Sequence, residues 1–352
     1  MENRKSCENK VITIYDIANE AGVSVATVSR VLTNNANVRP EKKEKVQQLI
    51  DKYNFKPNAM ARGLTDPKNK VIGIIAADVR NVYYANIFVA CETEARKAGY
   101  RVLLCNSLGE KEREEEQLEM LYEQRVGAII QLGGRADDLT SDVEYAERVN
   151  LITNSIPLVV TGKLDGTMCY QVQIDAMRAM DLAMEHLIDL GHKRVALVGG
   201  RMDVLSTFEK LQRYRQILKN YHLDFHEEYI RTGGYDYETG YKEMNELFQC
   251  SRMPTAVIAI NDYAAAGVAR SIIEHGCRVP DDISVISYDN TEVAQLLTPR
   301  MTSIDYRYEE FAGKLVGTAL AAIAGKSIPR IQLQIPGLVV RESTGTAKNS
   351  TV

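Results

Sequence analysis

The sequence predicts an α/β protein: an all-α N-terminal head followed by a two-subdomain, doubly wound α/β core. Three observations carry this expectation. Residues 13 to 53 hold three short helical patterns, each with its own cap or turn residue. From Val71 onward, short apolar runs alternate with amphipathic stretches, the texture of strands crossed over by helices. Charge divides at the same place: residues 1 to 70 carry 13 Lys and Arg against 8 Asp and Glu, and the remainder 30 against 39. A chain of 352 residues exceeds one compact core of ordinary size, and its 45% apolar content suffices to fill two or three.

In the head, Thr13 stands where a helix begins, with Asp16 three residues on. At that spacing a hydroxyl and a carboxylate satisfy each other's backbone amides. Gly22 marks the end of this helix, where a left-handed residue is wanted. Ser24 caps a second helix running to about Leu32, and Pro40 opens a third. On the third, Val46, Leu49, Ile50 and Tyr53 recur on one face and are expected to pack over Ile17, Ala18, Val28 and Val31. The small residues Ala18 and Gly22 let the first two helices cross closely.

"TDPKNK", residues 65 to 70, reads as a linker. "VIGIIAA", 71 to 77, opens the core as a buried strand, and further buried strands are expected at 101–105, 128–132, 157–160, 195–198, 256–260 and 283–287. Helical stretches fall between them at 87–98, 112–124, 176–190, 239–248 and 265–274, several ended by glycine at Gly99, Gly191 and Gly276. This alternation implies doubly wound parallel sheets, with ligands at the carboxyl ends of the strands.

Six cysteines, Cys7, Cys91, Cys105, Cys169, Cys250 and Cys277, form no C-x-x-C pair and meet no histidines at zinc spacing, so neither a disulfide framework nor a metal site is expected. The opening "MENRKSCENK" is polar, and no run approaches the roughly 18 apolar residues of a membrane span, so a cytoplasmic protein is expected. An enzyme needs a constellation, and there is no G-x-S-x-G, P-loop or G-x-G-x-x-G after a strand; no catalytic residue and no cofactor is expected. The paired glycines at Gly133, Gly199 and Gly233 read as strand-end turns. An exported solute-binding protein would account for the core but not the basic head. An architectural DNA-bending protein would account for the head but not the core.

Helix, glycine turn, helix is the helix-turn-helix arrangement, in which the second helix enters the major groove of DNA. Ser24 begins that helix, and Val25, Ala26, Thr27, Ser29 and Arg30 are its outward candidates. Arg30 is the strongest of them for a base edge, because a guanidinium matches the two acceptors of guanine. After Pro57, "NAMARGL" is too short to hold a helix alone and reads either as ordinary linker or as a segment that orders against DNA, with Leu64 as a minor-groove wedge and Ala61 allowing close approach.

"TIYDIANEAGVSVATVSRVL", "VRPEKKEKV" and "PNAMARGL" closely resemble the head and hinge of the LacI/GalR family of bacterial transcription regulators. "HLIDLGHKRVALVGG", "PTAVIAINDYAAAGVARSI" and "RVPDDISVISYDN" resemble the family's core, and the likeness spans residues 12 to 343. The resemblance implies a homodimer on a palindromic DNA operator, found with the nucleoid when bound. It implies a core like periplasmic sugar-binding proteins that closes on a small effector. It places the head at 11–57, hinge helix and linker at 58–70, and the core at 71–345, with subdomains 71–173 plus 305–335 and 174–304 plus 336–343. It puts Thr13, Tyr15, Ser24, Val25, Ala26, Thr27, Ser29, Arg30 and Thr33 against DNA, with Asn58, Ala61 and Leu64 in the hinge.

Loops after residues 76, 104, 131, 160, 198 and 260 are expected to line the effector cleft. Tyr83, Tyr84, Asn261, Asp262 and Asp289 match effector contacts of the family, and aromatic platforms with carboxylates and amides suit a sugar. Two positions depart from the pattern. Gly162 stands where sugar-responsive members carry an aspartate, and Lys210 where they carry the arginine that holds the effector. A lysine is a point charge and cannot fork across two hydroxyls. Both departures resemble the catabolite control branch, whose co-repressor is a serine-phosphorylated phosphocarrier protein, yet that branch's phosphoserine-binding arginine falls on Thr298. The expected function is a repressor of carbohydrate uptake or catabolism genes controlled by a small carbohydrate, with global regulation through a phosphocarrier protein as the alternative.

Overall fold

A computed structural model describes residues 12–32, 38–55 and 70–348. The chain divides into two compact units, residues 1–69 and 70–352.

In the first unit, α1 (Ile14–Ala21), α2 (Val25–Leu32) and α3 (Pro40–Lys52) enclose a small core of Ile17, Ala18, Ala21, Val28, Val31 and Val46. Each helix starts as its residues dictate. The Thr13 amide donates to Asp16 Oδ2 at 2.8 Å, and the Asp16 amide returns a bond to Thr13 Oγ1 at 3.3 Å. Gly22 takes the left-handed conformation at φ 66°, and the next amide, of Val23, donates to the Ala18 carbonyl at 3.0 Å. α3 is pinned to α1 by Glu20, which accepts from Lys52 at 2.9 Å and from the Tyr53 hydroxyl at 2.8 Å.

The second unit holds two six-stranded sheets. The first runs in the order β11-β5-β4-β3-β1-β2, comprising β1 (Val71–Ala76), β2 (Arg101–Asn106), β3 (Ala128–Leu132), β4 (Leu158–Val160), β5 (Tyr170–Ile174) and β11 (Ile331–Gln334). The second runs β12-β10-β9-β8-β6-β7, comprising β6 (Val195–Val198), β7 (Ile230–Arg231), β8 (Ala256–Ala259), β9 (Ser284–Asp289), β10 (Thr302–Asp305) and β12 (Gly337–Val339). Pairing is parallel throughout except at one edge, where β12 runs antiparallel to β10, a departure from the expected all-parallel sheets. The chain passes between sheets after β5, after β10 and after β11, so three connecting segments cross from one half to the other.

Helices cover both faces of each sheet. On the first, α4 (Val82–Lys97) and α12 (Tyr308–Ile323) pack Ile87, Cys91, Phe311 and Leu315 against Ile72, Ile74 and Ile130. On its other face lie α5 (Lys111–Glu123) and α6 (Val143–Thr153), with Leu118, Leu121 and Val149. The second sheet is covered by α7 (Ala176–Asp189) and α8 (Leu205–Asn220) on one side, and by α9 (Tyr237–Leu247) and α10 (Asp262–Glu274) on the other, with the short α11 (Glu292–Leu296) beyond. Among the described residues no helix is long and apolar enough to cross a membrane.

Candidate functional site

Two places gather polar side chains that the packing does not need. The first is the outer side of α2. Its N-terminal hydroxyls form one unit: Ser24 Oγ accepts from the Thr27 amide at 3.3 Å and lies 2.9 Å from the Thr27 hydroxyl. Ala26, Ser29 and Arg30 are exposed, and Tyr15, at the start of α1, is 66% exposed. Thr13 is exposed too, although its hydroxyl is held by Asp16 at 2.6 Å. Val25 departs from expectation: it is partly buried and leans on the head's core, because the first turn of α2 closes over α1. Thr33, Asn58, Ala61 and Leu64 lie outside the described residues. What α2 offers is a helix N-terminus, small hydroxyls, a methyl and a guanidinium on one surface, the chemistry that meets phosphates and base edges.

The second place is a cavity of about 330 Å³ between the two sheets of the core. Loops after β1, β2, β3 and β4 line it from one side, and those after β6, β8 and β9 from the other. Tyr83 and Tyr84 enter from the start of α4, where Asn81 Oδ1 caps the helix on the Tyr83 amide at 3.0 Å. The Tyr83 ring meets Tyr84 edge-on at 4.9 Å and Tyr306 at 5.9 Å. Tyr306 comes from the crossover after β10, so this aromatic cluster joins both halves.

At Gly162 the structure gives the departure a cause. A Cβ there would lie 2.0 Å from the carbonyl oxygen of Ala136, in the one-turn helix Gly134–Asp137 that follows β3. No side chain fits without moving that turn. The same Cβ would lie 3.0 Å from Asp137 Oδ1, so a carboxylate does occupy this corner, supplied by Asp137. Tyr84 donates its hydroxyl to Asp137 Oδ2 at 3.1 Å, and burial pushes the Asp137 carboxyl up to about 6. Below the turn, Glu114 Oε2 accepts from the Arg135 amide at 3.1 Å while Oε1, fully enclosed, accepts no hydrogen bond; burial pushes this carboxyl up to about 7.

Across the cavity, Lys210 is buried in α8 with Nζ 3.4 Å from the Tyr306 hydroxyl and 4.5 Å above the Tyr288 ring. Burial lowers it to about 8, against the pull of Asp289, Glu209 and Asp137. Asp289 ends β9 at φ 91°, a strained backbone for a residue with a side chain, and burial raises its carboxyl well above the usual carboxylate range.

Asn261 lines the cavity, but its amide is engaged: Oδ1 accepts from Ala264 at 2.8 Å and caps α10, and Nδ2 donates to the Tyr235 carbonyl at 2.9 Å. Asp262 is turned elsewhere. It is 1% exposed, does not line the cavity, and accepts from Ser287, from Ser303 at 3.1 Å and from the Thr291 amide and hydroxyl at 2.6 and 2.8 Å. Because α10 begins at Asp262, three residues before the expected 265, this side chain joins the helix and rotates about 100° from Asn261. It braces β9 and β10 from behind. Asp137, Glu114, Tyr306 and Tyr235 were not singled out by the sequence; the signal for Asp137 was the carboxylate pair closing "GGRADD", directly after a buried strand. At the cavity's rim the halves also join by backbone: Asp138 pairs with Val204 as an isolated antiparallel bridge, and the Leu139 amide donates to the Asp203 carbonyl at 2.7 Å.

The chain has relatives that match it in both the head and the core. Residues 13–58 match bacterial regulatory proteins of the lacI family, and residues 184–344 match the periplasmic binding protein-like domain. Catabolite control protein A of Staphylococcus epidermidis is 35% identical over 295 residues, 83% of this chain and 87% of that protein; the Priestia megaterium protein of that name is 32% identical with the same coverage. Among solved structures, the lac repressor dimer bound to operator and an anti-inducer aligns with TM-score 0.81 and 27% identity, covering 96% of this chain and all of that one. A complex of the transcriptional regulator CelR with cellobiose aligns at TM-score 0.68 and 25% identity, covering 95% of this chain and all of that one. With a helix-turn-helix head joined to a cleft-bearing α/β core and relatives that match across both, the chain belongs to the lacI family of bacterial regulatory proteins.

Proposed function

We propose that this protein is an operator-binding repressor of carbohydrate uptake or catabolism genes, working in the bacterial cytoplasm as a homodimer, with a small carbohydrate in the core cleft as its effector. The observation that carries the effector role is the cavity itself: tyrosine rings from both halves, facing carboxylates and one buried ammonium, with three crossover segments about which the halves can move. Ring faces take the apolar side of a pyranose, and the carboxylates accept from its hydroxyls. Thr13, Tyr15, Ser24, Ala26, Thr27, Ser29 and Arg30, with Thr33 and the hinge residues Asn58, Ala61 and Leu64, carry operator contact in this reading, and Tyr83, Tyr84, Lys210, Asn261 and Asp289 the effector. Asp262 supports the strand that holds Asp289. Ligand-driven change in the angle between the sheets alters the order of residues 58–64, so operator and effector affinities are linked. No catalytic step is needed.

The relatives named catabolite control protein A favour a second reading, in which a serine-phosphorylated phosphocarrier protein is the co-repressor. Thr298, exposed and uncharged, offers no guanidinium for a phosphoserine. A thermal-shift screen of the purified protein against sugars, sugar phosphates and the phosphorylated phosphocarrier, followed by operator titration with each hit, separates the two. A sugar that raises the melting midpoint and changes operator affinity supports the first reading. A response to the phosphoprotein alone sinks it.

A further inference from the structure

We propose that the cleft selects a positively charged, polyhydroxylated ligand, an amino sugar or similar hydroxylated amine, over its neutral and phosphorylated counterparts. The inference rests on the effector reading of the cleft and names the charge of that effector. It follows first from which charges around the cavity are already answered. Three of its four lining cations have carboxylates of their own: Lys111 lies 3.6 Å from Asp138, Arg135 donates to Glu115 at 2.5 Å, and Arg201 donates to both oxygens of Asp203 at 2.9 and 2.6 Å. Lys210 is left to answer Asp137 and Asp289, and shares Glu209 with Lys163, which lies outside the lining; it carries one charge.

These acids are also short of donors. Among the described residues the Asp289 carboxylate accepts no hydrogen bond, the Tyr308 hydroxyl going to its main-chain carbonyl; Asp137 Oδ2 accepts one, from Tyr84, and Oε1 of the enclosed Glu114 accepts none. Burial pushes both Asp137 and Glu114 upward, and the few hydrogen bonds they accept do not offset it. The third observation is aromatic. Tyr83, Tyr84, Tyr235 and Tyr306 line the cavity, and tyrosine faces beside carboxylates are the setting that holds organic ammonium groups. The protein already uses that setting for its own ammonium groups, Lys210 over Tyr288 in the core and Lys52 over Tyr53 beside Glu20 in the head. A phosphate would meet the excess carboxylates with one lysine to answer it. A neutral sugar would donate hydroxyls to them but bring no countercharge, whereas a protonated amine on a hydroxylated ring supplies donors together with the charge that draws these carboxyls, pushed upward by burial, into their ionised form.

The test is calorimetric titration of the full-length protein at pH 7 with glucosamine and galactosamine, their neutral parents glucose and galactose, N-acetylglucosamine and glucose 6-phosphate, each repeated as an operator titration. The amines are expected to bind at least about tenfold more tightly than the neutral sugars, with no binding of the phosphate. Asp137→Asn and, separately, the partly exposed Glu209→Gln should each weaken amine binding more than neutral-sugar binding and so shrink that preference; Glu209→Gln keeps the test open if Asp137→Asn fails to fold. A neutral sugar binding as tightly as its amine, or a phosphate binding better, overturns the charge assignment and leaves the effector reading standing. Silence across the whole panel, in binding and in operator affinity, overturns both.

Discussion

In the head, six buried apolar residues hold three helices together, and most of the described side chains proposed for DNA contact lie at the surface, where the fold makes little use of them. In the core the order is reversed: Glu114, Lys210 and Asp289 sit between two sheets, buried among the groups that hold the halves together. Stability and function are therefore separable in the head and coupled in the core. A surface guanidinium can change without unfolding anything, whereas a cleft carboxylate cannot change its charge without changing how tightly the core is held.

The largest test of this contrast is Ile17→Ala. Removing that much of a small core should cost about 2 to 5 kcal/mol. Scanning calorimetry is expected to show a head transition lost or lowered, an unmoved core transition, and no operator binding. A single transition moving as one would erase the distinction. Next is Glu114→Gln. Burial raises this carboxyl from its ordinary range to about 7, so the folded core holds the proton more tightly than the unfolded chain does. Stability is then full below about pH 4 and falls as pH rises towards 7. The glutamine variant should match wild type near pH 4 and exceed it above pH 7 by about 3 kcal/mol, read as core melting temperature against pH. Parallel curves would mean that Glu114 is better satisfied than its hydrogen bonds indicate.

Arg30→Ala should cost about 1 to 3 kcal/mol of operator binding and relax base preference at one position of each half-site, with melting unchanged. Uniform weakening across sequences would move Arg30 to the phosphates. The smallest effect is expected of Thr13→Ala, which deletes the reciprocal cap of α1 at about 0.5 to 2 kcal/mol, seen as a lower head transition without altered base preference.

Much of this architecture is legible in the residues, for local reasons. Thr13 with Asp16, Gly22 and Pro40 act within a turn of themselves, and the buried strands announce themselves as apolar runs. Strands that are buried on one side only do not. "YQVQI" in β5 and "IQLQ" in β11 alternate with glutamine, and β7 has two residues. In the cleft, Tyr83, Tyr84 and Asp289 lie at the wall as their positions after strands imply, and Lys210, inside α8, lies there as the family resemblance implies. Asp262 does not, because one residue's advance into a helix swings its side chain away. Asp137 was hidden for the opposite reason. Its place depends on a neighbouring turn pressing against Gly162, a fact about space that no spacing along the chain contains.

The backbone pairing of Asp138 with Val204 ties the two halves of the core where they line the cavity, and it does so through main-chain atoms, the Leu139 amide donating to the Asp203 carbonyl. A tie of this kind is indifferent to which side chains stand at these positions. Substitution there can reshape the cavity wall while the halves stay joined, and a change in the angle between the sheets has to strain or break a hydrogen bond that a change of side chain does not remove.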